Sequence, residues 1–153
     1  MLTKLSNMCI IRKTVDIMED YGHIGRMTIC TSQEIGRLGE IAAVRYLRRH
    51  GYKIIGRNLR SKIGELDILA SIDATLVFVE VKARSGTWTG EAFEAVGPAK
   101  QKKLRNVVNG YLSYGGVGNM AKRFLNVRID VIGVRITKGG AVVKIDHVQD
   151  AFS

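Results

Sequence analysis

Cysteine, proline and tryptophan are nearly absent from this sequence, with two Cys, one Pro and one Trp in 153 residues. Cys9 and Cys30 have no second pair and no nearby His at ligand spacing, which excludes a disulfide framework or a zinc site and fits free thiols in a reducing compartment. A long apolar run is also missing. Lys4, Arg12, Lys13, Asp16, Glu19 and Asp20 interrupt the N-terminal segment, so neither a membrane span nor a secretory signal fits, and a cytoplasmic location is expected. Acidic residues are scarce as well: 14 Asp and Glu face 24 Lys and Arg, a formal charge of +10.

The location of that charge matters more than its size. Residues 1–27 carry four Lys/Arg against three Asp/Glu, leaving +9 on the remainder. A partner with dense negative charge, most obviously a nucleic-acid backbone, gains affinity from such a surface through counterion release. Charge alone fits a merely soluble basic protein equally well. The length suits one domain, and 46% apolar residues are enough for one core without covalent staples.

Met1, Met8, Met18 and Met27 precede any clear periodicity, so residues 1–30 read as a poorly ordered extension, with Met18 or Met27 as alternative starts. Residues 31–153 read as the domain. Thr31 and Glu34 have capping-box spacing, and apolar residues recur at helical intervals from Ile35 to Leu47, predicting a helix to about His50 that Gly51 ends. Strands follow at Tyr52–Leu59, Gly64–Ser71 and Thr75–Arg84, the last two joined by a turn at Asp73-Ala74. Residues 85–97 read as a loop. Pro98 opens a second helix with Leu104, Val107, Val108, Tyr111 and Leu112 as its buried stripe, closed by Gly115, Gly116 and Gly118. Strands at Val127–Ile136 and Ala141–Val148, joined by Lys138-Gly139-Gly140, complete the order α-β-β-β-α-β-β.

Strand alternation puts Glu80, Lys82 and Arg84 on one face with Leu76 and Phe78, and Val77, Val79 and Val81 on the other, predicting one charged and one core face. A hairpin centred between residues 73 and 74 pairs positions whose numbers sum to 147, which sets Asp67 opposite Glu80. Two carboxylates side by side repel, and a shared proton or a shared cation relieves them. Oxygen-only donors suit Mg²⁺ or Mn²⁺ better than zinc or copper. Lys82 lies about 6–7 Å further along the same face, where an ammonium can reach a phosphate oxygen or a bound water. The other reading is an exposed salt-bridge ladder on an edge strand. Against it, the run from Leu76 to Val81 is almost wholly apolar, and charges placed there require partners.

The segments Gly64-Glu65-Leu66-Asp67-Ile68-Leu69-Ala70 and Val77-Phe78-Val79-Glu80-Val81-Lys82-Ala83-Arg84 resemble the YraN-like family of small bacterial proteins, placed in the PD-(D/E)xK nuclease superfamily near archaeal Holliday junction resolvases. Twelve residues separate Asp67 from Glu80, matching the Asp-x12-Glu-x-Lys signature, while Leu66 stands where the superfamily name has Pro. Gly39-Glu40, Ala42-Ala43, Gly51-Tyr52, Arg57-Asn58, Lys100-Gln101-Lys102 and Asp146 to Phe152 agree, so the likeness spans roughly residues 35–152. It implies an α/β restriction-endonuclease-like fold, a mixed sheet of about five strands flanked by helices.

By this resemblance Asp67 and Glu80 ligate Mg²⁺ or Mn²⁺ with the Val81 carbonyl, and Lys82 activates the attacking water. Glu40, on the stripe of Val44 and Leu47, is the helix-borne carboxylate beside the metal, or else reaches solvent from the stripe's edge. Gln101 approaches the site from the second helix, or serves as a cap or surface residue. The expected reaction is phosphodiester hydrolysis in DNA, on branched or single-stranded intermediates. Arg57, Arg60, Lys62, Arg84, Lys100, Lys102, Lys103 and Arg105 are the expected nucleic-acid-binding set. Trp88 either stacks on a base or anchors its loop, and His23, His50 and His147 receive no role. Junction-cleaving relatives act as dimers, so a homodimer is allowed, although no residue here marks a dimer face. The rival readings are a non-catalytic nucleic-acid-binding module on the same fold, and an adaptor with no affinity for metal.

Overall fold

The computed structural model describes residues 10–11, 29–62, 64–86, 96–114 and 118–151. Most of the expected N-terminal extension, together with Trp88, Gly115, Gly116 and His23, lies outside them.

Helix α1 (Ser32–Arg49) begins at the expected capping box: Thr31 Oγ1 accepts from the Glu34 N–H at 3.2 Å, and Glu34 Oε2 accepts from the Thr31 N–H at 2.7 Å. Two donors left over at the helix start are thereby satisfied. Gly51, at φ +84°, turns the chain out of the helix. The hairpin strands are β3 (Glu65–Ile72) and β4 (Thr75–Ser85), with β2 (Lys53–Arg60) along the outer side of β3. Helix α2 (Pro98–Tyr114) starts at the proline, whose fixed φ and missing N–H suit a first turn. A four-residue helix α3 (Gly118–Ala121) leads into β5 (Asn126–Ile136) and β6 (Val142–Val148). Ile10–Ile11 form a short β1 beside β6. The expected order is present, with α3 and β1 as additions.

The sheet order is β1-β6-β5-β4-β3-β2, with β4 and β5 parallel and the other neighbours antiparallel. A parallel pair requires a crossover, and the segment containing α2 supplies it. β4 is therefore central, and this corrects the expectation of one charged face. Leu76 and Phe78 are buried under Leu104, Val107 and Val108 of α2, while Val77, Val79 and Val81 are buried with Ala43, Val44 and Leu47 of α1. With both faces covered, charge enters β4 only at Glu80 and beyond.

One glycine sets the height of α1 above the sheet. A Cβ on Gly39 would lie 2.3 Å from the Ala83 Cβ. Its absence lets the α1 backbone rest directly on β4, and carries the next residue, Glu40, to the end of the sheet that holds Glu80 and Lys82.

Candidate functional site

The β3–β4 register runs from Ile72↔Thr75 to Ile68↔Val79, as expected for a hairpin centred between 73 and 74. Asp67 and Glu80 are the next residues beyond the last paired positions, and the charge of Glu80 acts on Asp67. There the chain departs from a plain ladder, because the Val81 N–H donates to Asp67 Oδ2 at 2.7 Å. On the outer side, Arg57↔Ile68 and Leu59↔Leu66 place Asn58 level with Asp67, and Asn58 has φ +48°. Non-glycine residues rarely adopt that conformation, although Asn tolerates it better than most. Asn58 has no role assigned by spacing alone; a lone Asn inside a β-rich run is the available signal.

Glu80 is 3% exposed, and its Oε1 meets two ammonium groups: Lys82 Nζ at 2.5 Å and Lys100 Nζ at 3.0 Å. A buried carboxylate needs such partners. Lys82 faces Gly133 across the parallel β4–β5 pair, so the neighbouring strand offers no side chain at that place. Burial pushes the Asp67 carboxyl up to about 6; the charge of Glu80 adds to this, the Val81 N–H opposes it, Glu40 raises it further and Lys82 lowers it. Asp67, Glu80, Glu40 and Lys82 thus form one electrostatic unit.

The remaining expected residues are less concentrated. Gln101 Nε2 donates to the Val96 carbonyl at 2.9 Å, fastening the start of α2 to the preceding loop. Arg57, Arg60 and Lys62 are exposed along and just beyond β2, with Arg60 Nε 3.3 Å from Glu65 Oε1. Arg84 is exposed just past Lys82 and donates to the Ala83 carbonyl at 3.2 Å. Lys102, Lys103 and Arg105 are exposed on α2, whereas Lys100 turns inward to Glu80, a contact that helical periodicity alone did not suggest.

A second polar cluster went unread in the sequence. Asp130, fully buried, accepts from Arg128 Nε at 2.9 Å and from the Asp150 N–H at 3.0 Å, and its Oδ2 lies 2.9 Å from His147 Nε2. Arg128 and Gln149 both donate to the Tyr52 hydroxyl, at 2.7 and 2.9 Å. The only hint was Arg128-x-Asp130 inside an apolar strand, with partners far away in the chain.

As a cation site the arrangement offers hard oxygen donors. Among the described residues no group of three or more His, Cys, Asp or Glu is assembled for an ion. Two carboxylates whose charges repel fit an ion that keeps much of its water shell, which describes Mg²⁺ and its close substitute Mn²⁺.

The family model "Uncharacterised protein family UPF0102" matches residues 39–134. The chain belongs to the UPF0102 family. UPF0102 proteins of Alkaliphilus oremlandii (strain OhILAs) and Syntrophotalea carbinolica are 40% and 42% identical, over 79% and 77% of this chain and 99% and 90% of their own lengths. The UPF0102 protein of Mycobacterium avium (strain 104) is 40% identical over 80% of this chain and 92% of its own. This is the YraN-like family indicated by the motifs. The UPF0102 match contains every candidate site residue, from Glu40 to Arg105. Among the described residues no helix is long and apolar enough to cross a membrane.

Proposed function

We propose that this UPF0102 protein is an endonuclease that hydrolyses phosphodiester bonds in DNA with Mg²⁺ or Mn²⁺. The observation that carries the reading is the electrostatic proximity of Asp67 and Glu80: two carboxylates, one pushed up to about 6 partly by the other, with the Lys82 ammonium on Glu80. A divalent ion on Asp67 and Glu80, with the Val81 carbonyl and Glu40 nearby, would lower the pKa of a bound water and offset charge on the phosphate. Lys82 orients that water and stabilises negative charge developing on phosphate oxygens. Arg57, Arg60, Lys62, Arg84, Lys102, Lys103 and Arg105 hold the DNA backbone, and Gln101 keeps the start of α2 in place. Action in the cytoplasm on branched or single-stranded DNA, as a homodimer, belongs to the same proposal.

The test incubates the purified protein with Mg²⁺ or Mn²⁺ and duplex, flap, single-stranded and four-way DNA, beside Lys82→Ala and Asp67→Asn. Cleavage by the unaltered protein, falling about a hundredfold or more in both variants while DNA binding persists, is the expected result. Equal cleavage by all three would assign the activity to a contaminant. A non-catalytic DNA-binding module is the second reading, favoured by the neutralisation of Glu80 by two lysines.

A further inference from the structure

Lys100 was expected to meet phosphate, yet its ammonium sits 3.0 Å from Glu80 Oε1. A carboxylate oxygen has two lone pairs, and here Lys82 and Lys100 both address the same oxygen. A cation reaching Oε1 must displace one of them, and a cation approaching Oε2 still meets two positive charges a few ångströms away. The two ammonium groups are not equally free to leave. The Lys82 side chain is 20% exposed and stems from the same strand as Glu80, whereas Lys100 is 40% exposed and arrives from α2. Water takes up the more exposed group at lower cost.

The start of α2 is built to present that group. The Gln101 N–H bonds to the Gly97 carbonyl at 3.0 Å and its side chain to the Val96 carbonyl at 2.9 Å, fixing the first turn against the loop. The positive end of a helix dipole disfavours a lysine there, and the buried Glu80 carboxylate compensates.

We infer that Lys100 is an internal competitor for the divalent ion: its ammonium and the ion exchange at Glu80, and this exchange sets how weakly the protein holds the ion. The inference rests on the metal site proposed above. Removing the Lys100 charge strengthens ion binding, whereas removing a structural or ligand-holding residue weakens it.

Mn²⁺ affinity of the full chain without DNA, measured by calorimetry and by the electron paramagnetic resonance signal of free Mn²⁺, tests it. Lys100→Met is expected to bind Mn²⁺ about three- to tenfold more tightly than the unaltered protein, the range of a partly exposed ion pair. Lys100→Arg, which keeps the charge, should stay within about twofold. Lys122→Ala, which removes an exposed charge outside the proposed DNA-binding set, should do the same and separates the local contact from net charge. Circular dichroism establishes that each variant is folded. Unchanged or weaker binding by folded Lys100→Met, with binding that still depends on Asp67 and Glu80, overturns the inference alone. Absence of any Mn²⁺ binding that Asp67→Asn and Glu80→Gln abolish overturns the metal site, and the inference with it.

Discussion

The Val81 N–H donates to the Asp67 carboxylate at 2.7 Å. By the hairpin register, continued two steps, this N–H would point at the Leu66 carbonyl. The strands exchange a backbone bond for a side-chain bond where the two carboxylates meet, and Asp67 thereby supports β4 as well as the site. Asp67→Ala leaves a buried donor without its partner and should cost about 1–3 kcal/mol relative to Asp67→Asn, which keeps an acceptor. Urea unfolding of the two variants measures the difference, and equal midpoints would contradict the role assigned to this bond.

Stability should fall as pH rises through the titration of Asp67. Its carboxyl goes from an ordinary value of 3.8 to about 6 in the folded chain, so between these limits the folded state binds more protons than the unfolded state. The resulting stabilisation is fully present below 3.8 and is lost by about pH 6, an order-of-magnitude loss of about 2–3 kcal/mol. Asp67→Asn, which has no charge to lose, should therefore be more stable than the unaltered protein at pH 7.5, with the gap closing towards pH 4. Thermal melts across that range give the comparison.

Gly39→Ala tests the contact of α1 with β4. Helix propensity alone favours alanine by about 1 kcal/mol. The added Cβ would lie 2.3 Å from the Ala83 Cβ, on a strand that cannot give way cheaply. A net destabilisation of about 1–3 kcal/mol is expected, with at least partial rescue in Gly39→Ala/Ala83→Gly. A more stable single variant would refute the close approach.

Asp130→Ala removes the buried acceptor shared by Arg128, His147 and the Asp150 N–H. Breaking a buried pair from one side costs about 3–5 kcal/mol, so a large loss in thermal midpoint is expected. Because this cluster is built on Tyr52, Arg128 and His147 rather than on the carboxylates of the candidate site, Mn²⁺ affinity of the folded fraction should stay as it was.

Under the proposed function, Lys102→Ala/Lys103→Ala should weaken DNA binding most at low salt. If each lysine neutralises one phosphate, the slope of log affinity against log salt becomes shallower by about 2 in the double variant. An unchanged slope would move the DNA path away from α2.

Local rules made most of the fold readable in advance. The capping box at Thr31 and Glu34, the helix start at Pro98 and the hairpin register are near-neighbour effects, in which sterics and short hydrogen bonds decide within a few residues. The register alone set Asp67 next to Glu80. Alternation along β4 reveals which residues share a side, but nothing about what covers that side. Once β5 pairs in parallel and α2 crosses over, the Phe78 face is as buried as the Val79 face.

The sequence by itself determined the two long helices and five long strands, their order, the basic charge and the motif spacing of the acids, since each depends on spacing along the chain. Only the tertiary structure decided that Lys100 lies on Glu80, that Gly39 seats α1 on Ala83, and that Asp130 meets His147. Those contacts join residues 17 to 44 positions apart, and which distant groups share a low-dielectric interior follows from how layers pack, to which the local pattern is blind.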